Sequence, residues 1–169
     1  NEPNKNEHVS GAQDAIGICM PGLCRHYYNN NYWPEKIESC LDEDILCWLE
    51  EHICMVLMFP RRPGTTVVED CNLSEGNVKA LANAASQCWE AIMRKDLQGF
   101  ATSFRASFEA QVKLFPGMMV DGVAEEIEKY RDKVLAWKMP GAGGGGYLAM
   151  VCEKPLEGAI RIKIRRRFE

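Results

Sequence analysis

Apolar and polar positions alternate along this chain in several distinct rhythms, and each rhythm predicts an element. Residues 1–9 are polar throughout and read as a mobile lead-in. Ser10-Gly-Ala-Gln-Asp14-Ala-Ile-Gly-Ile-Cys then reads as a turn of small residues opening a short helix, which Pro21-Gly22 stops. Leu23 to Tyr28 and Trp33 to Cys40 flank Asn29-Asn30-Asn31, the pattern of two strands joined by a loop. Asp42 to Glu51 starts acidic and carries Ile45, Leu46, Trp48 and Leu49 at helical spacing. The continuous apolar run Ile53-Cys-Met-Val-Leu-Met-Phe59 predicts a buried central strand.

The middle of the chain is helical in pattern. Ser74 and Glu75 make a helix start, and Val78, Leu81, Ala82, Ala85, Cys88, Trp89 and Ile92 recur behind it. A second helix from about Leu97 places Phe100, Phe104, Phe108, Val112 and Phe115 on one side before Pro116-Gly117, an aromatic stripe that reads as core. A third spans roughly Asp121 to Tyr130. Leu156 to Phe168 is open between two readings: Ile160, Ile162 and Ile164 alternate as in a strand, while Gly158-Ala159 after Pro155 could open a helix. Strands on both sides of a helical block predict an α+β fold, with helices packed on one face of a mainly antiparallel sheet.

Between the apolar runs Val134-Leu-Ala-Trp137 and Tyr147 to Cys152 lies Gly141-Ala142-Gly143-Gly144-Gly145-Gly146. Glycine admits positive φ and close approach of backbone to another group, at an entropic cost. Such loops bring main-chain N–H groups to phosphate, or pack one segment against another; a plain hairpin or linker is the competing reading. A dinucleotide fingerprint needs a helix straight after the loop and an acidic residue about 20 positions on, and this chain has a strand there instead. A Walker-type Gly-Lys-Ser/Thr is missing as well.

Composition narrows the field. With 169 residues, 46% of them hydrophobic, the chain can build a sizeable core. A net charge of −4 argues against nucleic acid as partner, and Arg161 to Arg167 reads as a solvated basic face. The eight cysteines lie mostly in apolar runs without a Cys-x-x-Cys pair, the distribution of buried free thiols in a reducing compartment. His8, His26 and His52 have no metal-site spacing. No apolar run is long enough to span a membrane, and no signal-peptide layout opens the chain, so a soluble, cytoplasmic protein is expected.

Two segments carry a resemblance. Trp137-Lys-Met-Pro-Gly-Ala-Gly-Gly-Gly-Gly-Tyr-Leu-Ala-Met-Val closely resembles the third signature motif of the GHMP small-molecule kinases, most of all the branch of bacterial L-fucokinases and heptose-phosphate kinases. Ser10-Gly-Ala-Gln-Asp14-Ala-Ile-Gly resembles the segment that carries the catalytic aspartate in sugar kinases of that family, with Ala15 where they usually have Gln. The resemblance implies a ferredoxin-like C-terminal kinase domain over residues 10–169. It also implies ATP-dependent phosphorylation of a sugar or sugar phosphate, with Asp14 catalytic, Gln13 and Gly11 at the sugar, and the 141–146 loop beside the transferred phosphate.

The family's N-terminal phosphate-binding loop has no match here. The chain, which begins at Asn1, is therefore expected to be the C-terminal portion of such a kinase, with ATP and Mg²⁺ bound mainly by an N-terminal kinase domain. Arg61, Arg62 and Thr65, in the turn after the central strand, are candidate anion contacts, with solvated arginines as the competing reading. Asp14 could alternatively cap its helix. A non-catalytic ferredoxin-like module binding a ligand or partner is the rival function.

Overall fold

A computed structural model describes residues 11–61 and 71–167. The chain divides into two compact units, residues 1–47 with 163–169, and residues 48–162. The fold is α+β and its strand pairings are antiparallel, as the pattern predicts. The lead-in 1–9, Ser10, Arg62 and Thr65 lie outside the described residues.

The first unit holds α1 (Ala12–Cys19), the hairpin-like pair β1 (Leu23–Tyr27) and β2 (Lys36–Cys40), and the start of α2 (Glu43–His52). β1 and β2 run antiparallel with Arg25 opposite Glu38 and Tyr27 opposite Lys36. Tyr27 donates to Glu38 across the strands at 2.6 Å, and Lys36 pairs with the same carboxylate from within β2. Asp42 accepts from the amides of Asp44 and Ile45 and so caps α2.

The tail of the basic segment is not simply solvated. The Gly22 amide donates to the Arg165 carbonyl at 2.7 Å, and Arg166 forks onto Glu43 at 2.9–3.2 Å. Residues 162, 164 and 166 are half-buried and 161, 163, 165 and 167 exposed, so the ambiguous C-terminal stretch is extended and the helical reading is discarded. Only Ile160–Arg161 pair as a strand, and Ile160 itself is exposed.

The second unit is built on a four-stranded sheet in the order β4 (Ala136–Lys138), β5 (Tyr147–Val151), β3 (Ile53–Leu57), β6 (Ile160–Arg161). α4 (Leu97–Leu114) packs along β4 and reaches β5, and α3 (Glu75–Met93) packs along α4. A 3₁₀ turn (Pro116–Met118) and α5 (Val123–Glu128) follow, and this order is consistent with a ferredoxin-like α+β domain. Ser74 accepts from the Asn77 amide at 3.3 Å and Asp96 from the Gly99 amide at 3.0 Å, so each long helix begins at a side-chain cap.

The core joins Cys54, Phe108, Met118, Val123, Ile127, Val134, Met139, Leu148, Met150 and Cys152. β3 is central as expected, but of its five residues only Cys54 is fully buried and Leu57 is exposed. In α3 the buried positions are Ala84, Ala91 and Ile92, with Leu81 and Cys88 half-buried; Val78, Ala82 and Ala85 face solvent. An alanine-rich helix offers small apolar residues on more than one face, so its period has two solutions and the structure uses the line through Leu81, Ala84, Cys88 and Ala91.

Phe100 of α4 is 1% exposed, and its ring lies 6.0 Å from Trp48 of α2 and 5.5 Å from Phe104. Phe100→Ala is expected to lower unfolding free energy by about 3–4 kcal/mol, read as a lower urea midpoint at unchanged slope.

Candidate functional site: the glycine loop and the polar cluster under it

The loop between β4 and β5 lies against the backbone that leaves β3. The Met58 amide donates to the Gly146 carbonyl and the Gly146 amide to the Phe59 carbonyl, both at 2.8 Å, which carries the β3–β5 ladder one step past Leu57 and Tyr147. The Gly144 amide donates to the Met118 carbonyl in the 3₁₀ turn at 3.1 Å. Two carbonyls of the loop are held by side chains. Arg61 donates to Gly143 through Nε (3.0 Å) and Nη2 (2.7 Å), and Gln111 donates to Gly141 through Nε2 (2.9 Å).

Gly145 is the position where these contacts demand glycine. Its φ is +125°, and a Cβ there would stand 2.8 Å from the Phe59 carbonyl oxygen and 3.1 Å from the Arg61 nitrogen. Neither is a flexible side-chain end that could swing away. The residues of the loop thus pack backbone on backbone, and Gly143 and Gly144 are buried. Arg61, a candidate anion contact, spends two of its N–H groups inside the molecule, on the loop itself.

Asp14 occupies the third residue of α1. Gly11 is the N-cap and makes no side-chain cap bond, so the capping role is not Asp14's. Its carboxylate is exposed in the first turn, where the helix dipole favours negative charge. Gln13 folds back over Gly11: a Cβ on Gly11 would meet the Gln13 amide oxygen at 2.0 Å. The Gly11–Asp14 segment belongs to the first unit and the glycine loop to the second.

A polar cluster that sequence reasoning passed over sits beneath the loop. Lys138, on β4, donates to Ser107 Oγ at 2.6 Å. Burial between α3, α4 and β4 pushes its ammonium from 10.5 down to about 8, with the nearby Cys88 thiol opposing the shift. The same burial pushes the Cys88 thiol up, against the influence of Ser103 and Lys138. Gln111 lies one helical turn beyond Ser107, and its Oε1 is buried with no partner. The signal in the sequence was a lysine set within an otherwise apolar strand, Val134 to Met139.

Cysteine placement is mixed. All eight thiols are free; Cys40, Cys54 and Cys152 are buried, while Cys19, Cys47 and Cys71 are exposed, so burial as a general rule for these cysteines does not hold. Cys54 and Cys152 stand 3.6 Å apart, and the hydrogen bond between them lowers the Cys54 thiol to about 7 and raises that of Cys152. Among the described residues no three His, Cys, Asp or Glu side chains converge on a metal position, and no helix is long and apolar enough to cross a membrane.

No family model matches the chain. It is similar to L-fucokinase/L-fucose-1-P guanylyltransferase of Bacteroides fragilis, with 38% identity over 74 residues, a stretch that covers 44% of this chain and 8% of that protein. The similarity suggests a fucokinase-like relation.

Two outcomes follow from this geometry. Gly145→Ala is expected to cost about 2 kcal/mol or more in urea unfolding, because strain at positive φ adds to a clash with immovable backbone. Lys138 binds more protons in the unfolded chain than in the folded one between pH 8 and its ordinary value, so its contribution makes stability rise with pH through that window. Relative to wild type, Lys138→Met should lose that rise, a difference on the order of 2–3 kcal/mol between pH 7 and pH 10.5.

Proposed function

We propose that this chain is the C-terminal part of a GHMP-type sugar kinase, transferring the γ-phosphate of ATP to a hydroxyl of a sugar or sugar phosphate. The observation that carries the reading is the conjunction of the Gly-Ala-Gly-Gly-Gly-Gly loop with the local identity to a fucokinase-containing protein. In the proposal the partner is the N-terminal kinase domain, which supplies most of the ATP and Mg²⁺ contacts, and the protein acts in the cytoplasm.

Phosphoryl transfer depends on placing the nucleophile and neutralising charge. Asp14 accepts the proton of the attacking hydroxyl, and its exposure at the first turn of α1 leaves the carboxylate open to a substrate. Gln13, folded over Gly11, orients the sugar. The loop forms the wall on the side of the transferred phosphate. Its Gly144 and Gly146 amides already donate inside the chain. Such a loop complements a phosphate cradle supplied elsewhere.

The test is a sugar panel with ATP on this chain extended by its upstream reading frame, beside this chain alone. Phosphorylation is expected from the extended protein, with kcat lowered about 10³-fold or more by Asp14→Asn as expected for loss of a general base combined with misplaced substrate. The 169-residue chain by itself should show little or no turnover. Equal turnover in the Asp14→Asn protein removes that residue from the mechanism, and no turnover with any sugar favours a binding module.

A further inference from the structure

Two polar side chains beside the glycine loop are incompletely bonded. Lys138 gives one hydrogen bond, to Ser107, and among the described residues no carboxylate pairs with it. A half-buried ammonium without a counter-charge is costly, and the fall of its pKa is the expression of that cost. Gln111 has its orientation fixed by donating Nε2 to the Gly141 carbonyl, which leaves Oε1 buried and accepting nothing. A buried acceptor left alone costs about 1–3 kcal/mol.

Both defects border one face of α4. Ser107 and Gln111 are four residues apart on α4, so their Cβ atoms lie about 5–6 Å apart on the same face. Lys138 bonds the first, and Gln111 ties that face to the start of the glycine loop. A ligand that relieves both must bring an oxyanion for the ammonium and a hydroxyl hydrogen for the carbonyl. A bound water would supply the second and not the first.

We propose that Lys138, Ser107 and Gln111 form a binding site for the phosphate group of a small phosphorylated ligand, beside Gly141. The phosphate oxygen accepts from the Lys138 ammonium and from the Ser107 hydroxyl, whose oxygen already accepts from Lys138. Gln111 Oε1 accepts either a P–OH or a hydroxyl of the ligand's own skeleton. A sugar phosphate carries both groups, and that identity of the ligand rests on the kinase reading; the phosphate site itself rests on the three side chains.

The test is titration of the 169-residue chain with inorganic phosphate, against chloride at equal ionic strength, followed through the amide resonances of residues 138–146. Wild type should show saturable shifts at Gly141 and its neighbours, and the Lys138 ammonium should titrate at higher pH with phosphate bound. Lys138→Met should weaken binding about tenfold or more, the value of one charge-assisted hydrogen bond, and Lys138→Arg should restore part of it. Gln111→Leu should weaken it about three- to tenfold, as loss of a neutral hydrogen bond does.

Absence of saturable shifts in wild type overturns the proposal. So does equal binding by wild type, Lys138→Met and Gln111→Leu, which would leave Gln111 as a water site. Phosphate binding here with no phosphoryl transfer by the extended protein would remove the kinase reading and keep this site; transfer without phosphate binding here would remove the site alone.

Discussion

The second unit depends on one backbone contact: the glycine loop seated on the segment that leaves β3. The Gly146 carbonyl and amide continue the β3–β5 ladder onto Met58 and Phe59, and Gly144 is tied to the 3₁₀ turn through Met118. Three parts of the chain far apart in sequence therefore meet through main-chain groups. Because the approach is backbone to backbone, a Cβ at Gly145 would strike atoms that no rotamer change can move. Closing the connection between β4 and β5 in this way also sets which residues of α4 can touch the loop. Gln111 reaches it, and one turn earlier Ser107 reaches Lys138.

That arrangement explains why a lysine lies under helices. Lys138 and Ala136 share one face of β4, from which Lys138 reaches Ser107 of α4, while Trp137 alternates to the other face and carries Arg105 of α4 and Arg131 over its ring. Small residues make room for the ammonium: Ser103 and Ser107 on α4 are buried and Cys88 faces them from α3. Ser103 satisfies itself on the Gly99 and Phe100 carbonyls. The hydroxyl of Ser107 is what remains for Lys138. The unit thus keeps a charge that one serine only partly solvates, where leucine or methionine would pack at lower cost.

Much of this was legible in the sequence, and the failures are specific. The helix start at Ser74, the stops at Pro21-Gly22 and Pro116-Gly117, and the strand pair around Asn29–Asn31 are local chemistry, so the order and type of elements could be read directly. The burial of β3 could not, because a continuous apolar run does not say how many faces a sheet has covered; Leu57 faces solvent although it reads like its neighbours. The inward line of α3 could not either, since Ala82, Ala84 and Ala85 look alike until α4 is beside them. Arg165 and Arg166 were read as solvated because their partners, Ile18, Gly22 and Glu43, are distant in sequence. The motif containing Lys138 was visible, but a strand's period does not reveal that its one charge points inward.

The donor pattern of the loop limits what it can do. A loop that holds phosphate unaided must turn successive amides toward one point. Here the run is broken: the amides of Gly144 and Gly146 bond within the chain, to the Met118 and Phe59 carbonyls. Two carbonyls, of Gly141 and Gly143, are occupied by Gln111 and Arg61, which removes acceptor groups that would repel an anion. Such a loop supplies a neutral, close-fitting wall. Charge must come from elsewhere, and Lys138 is a half-buried ammonium beside the loop that no carboxylate pairs with among the described residues. The glycines therefore act first as architecture, and in the proposed phosphate site the charge that meets the anion is the lysine's.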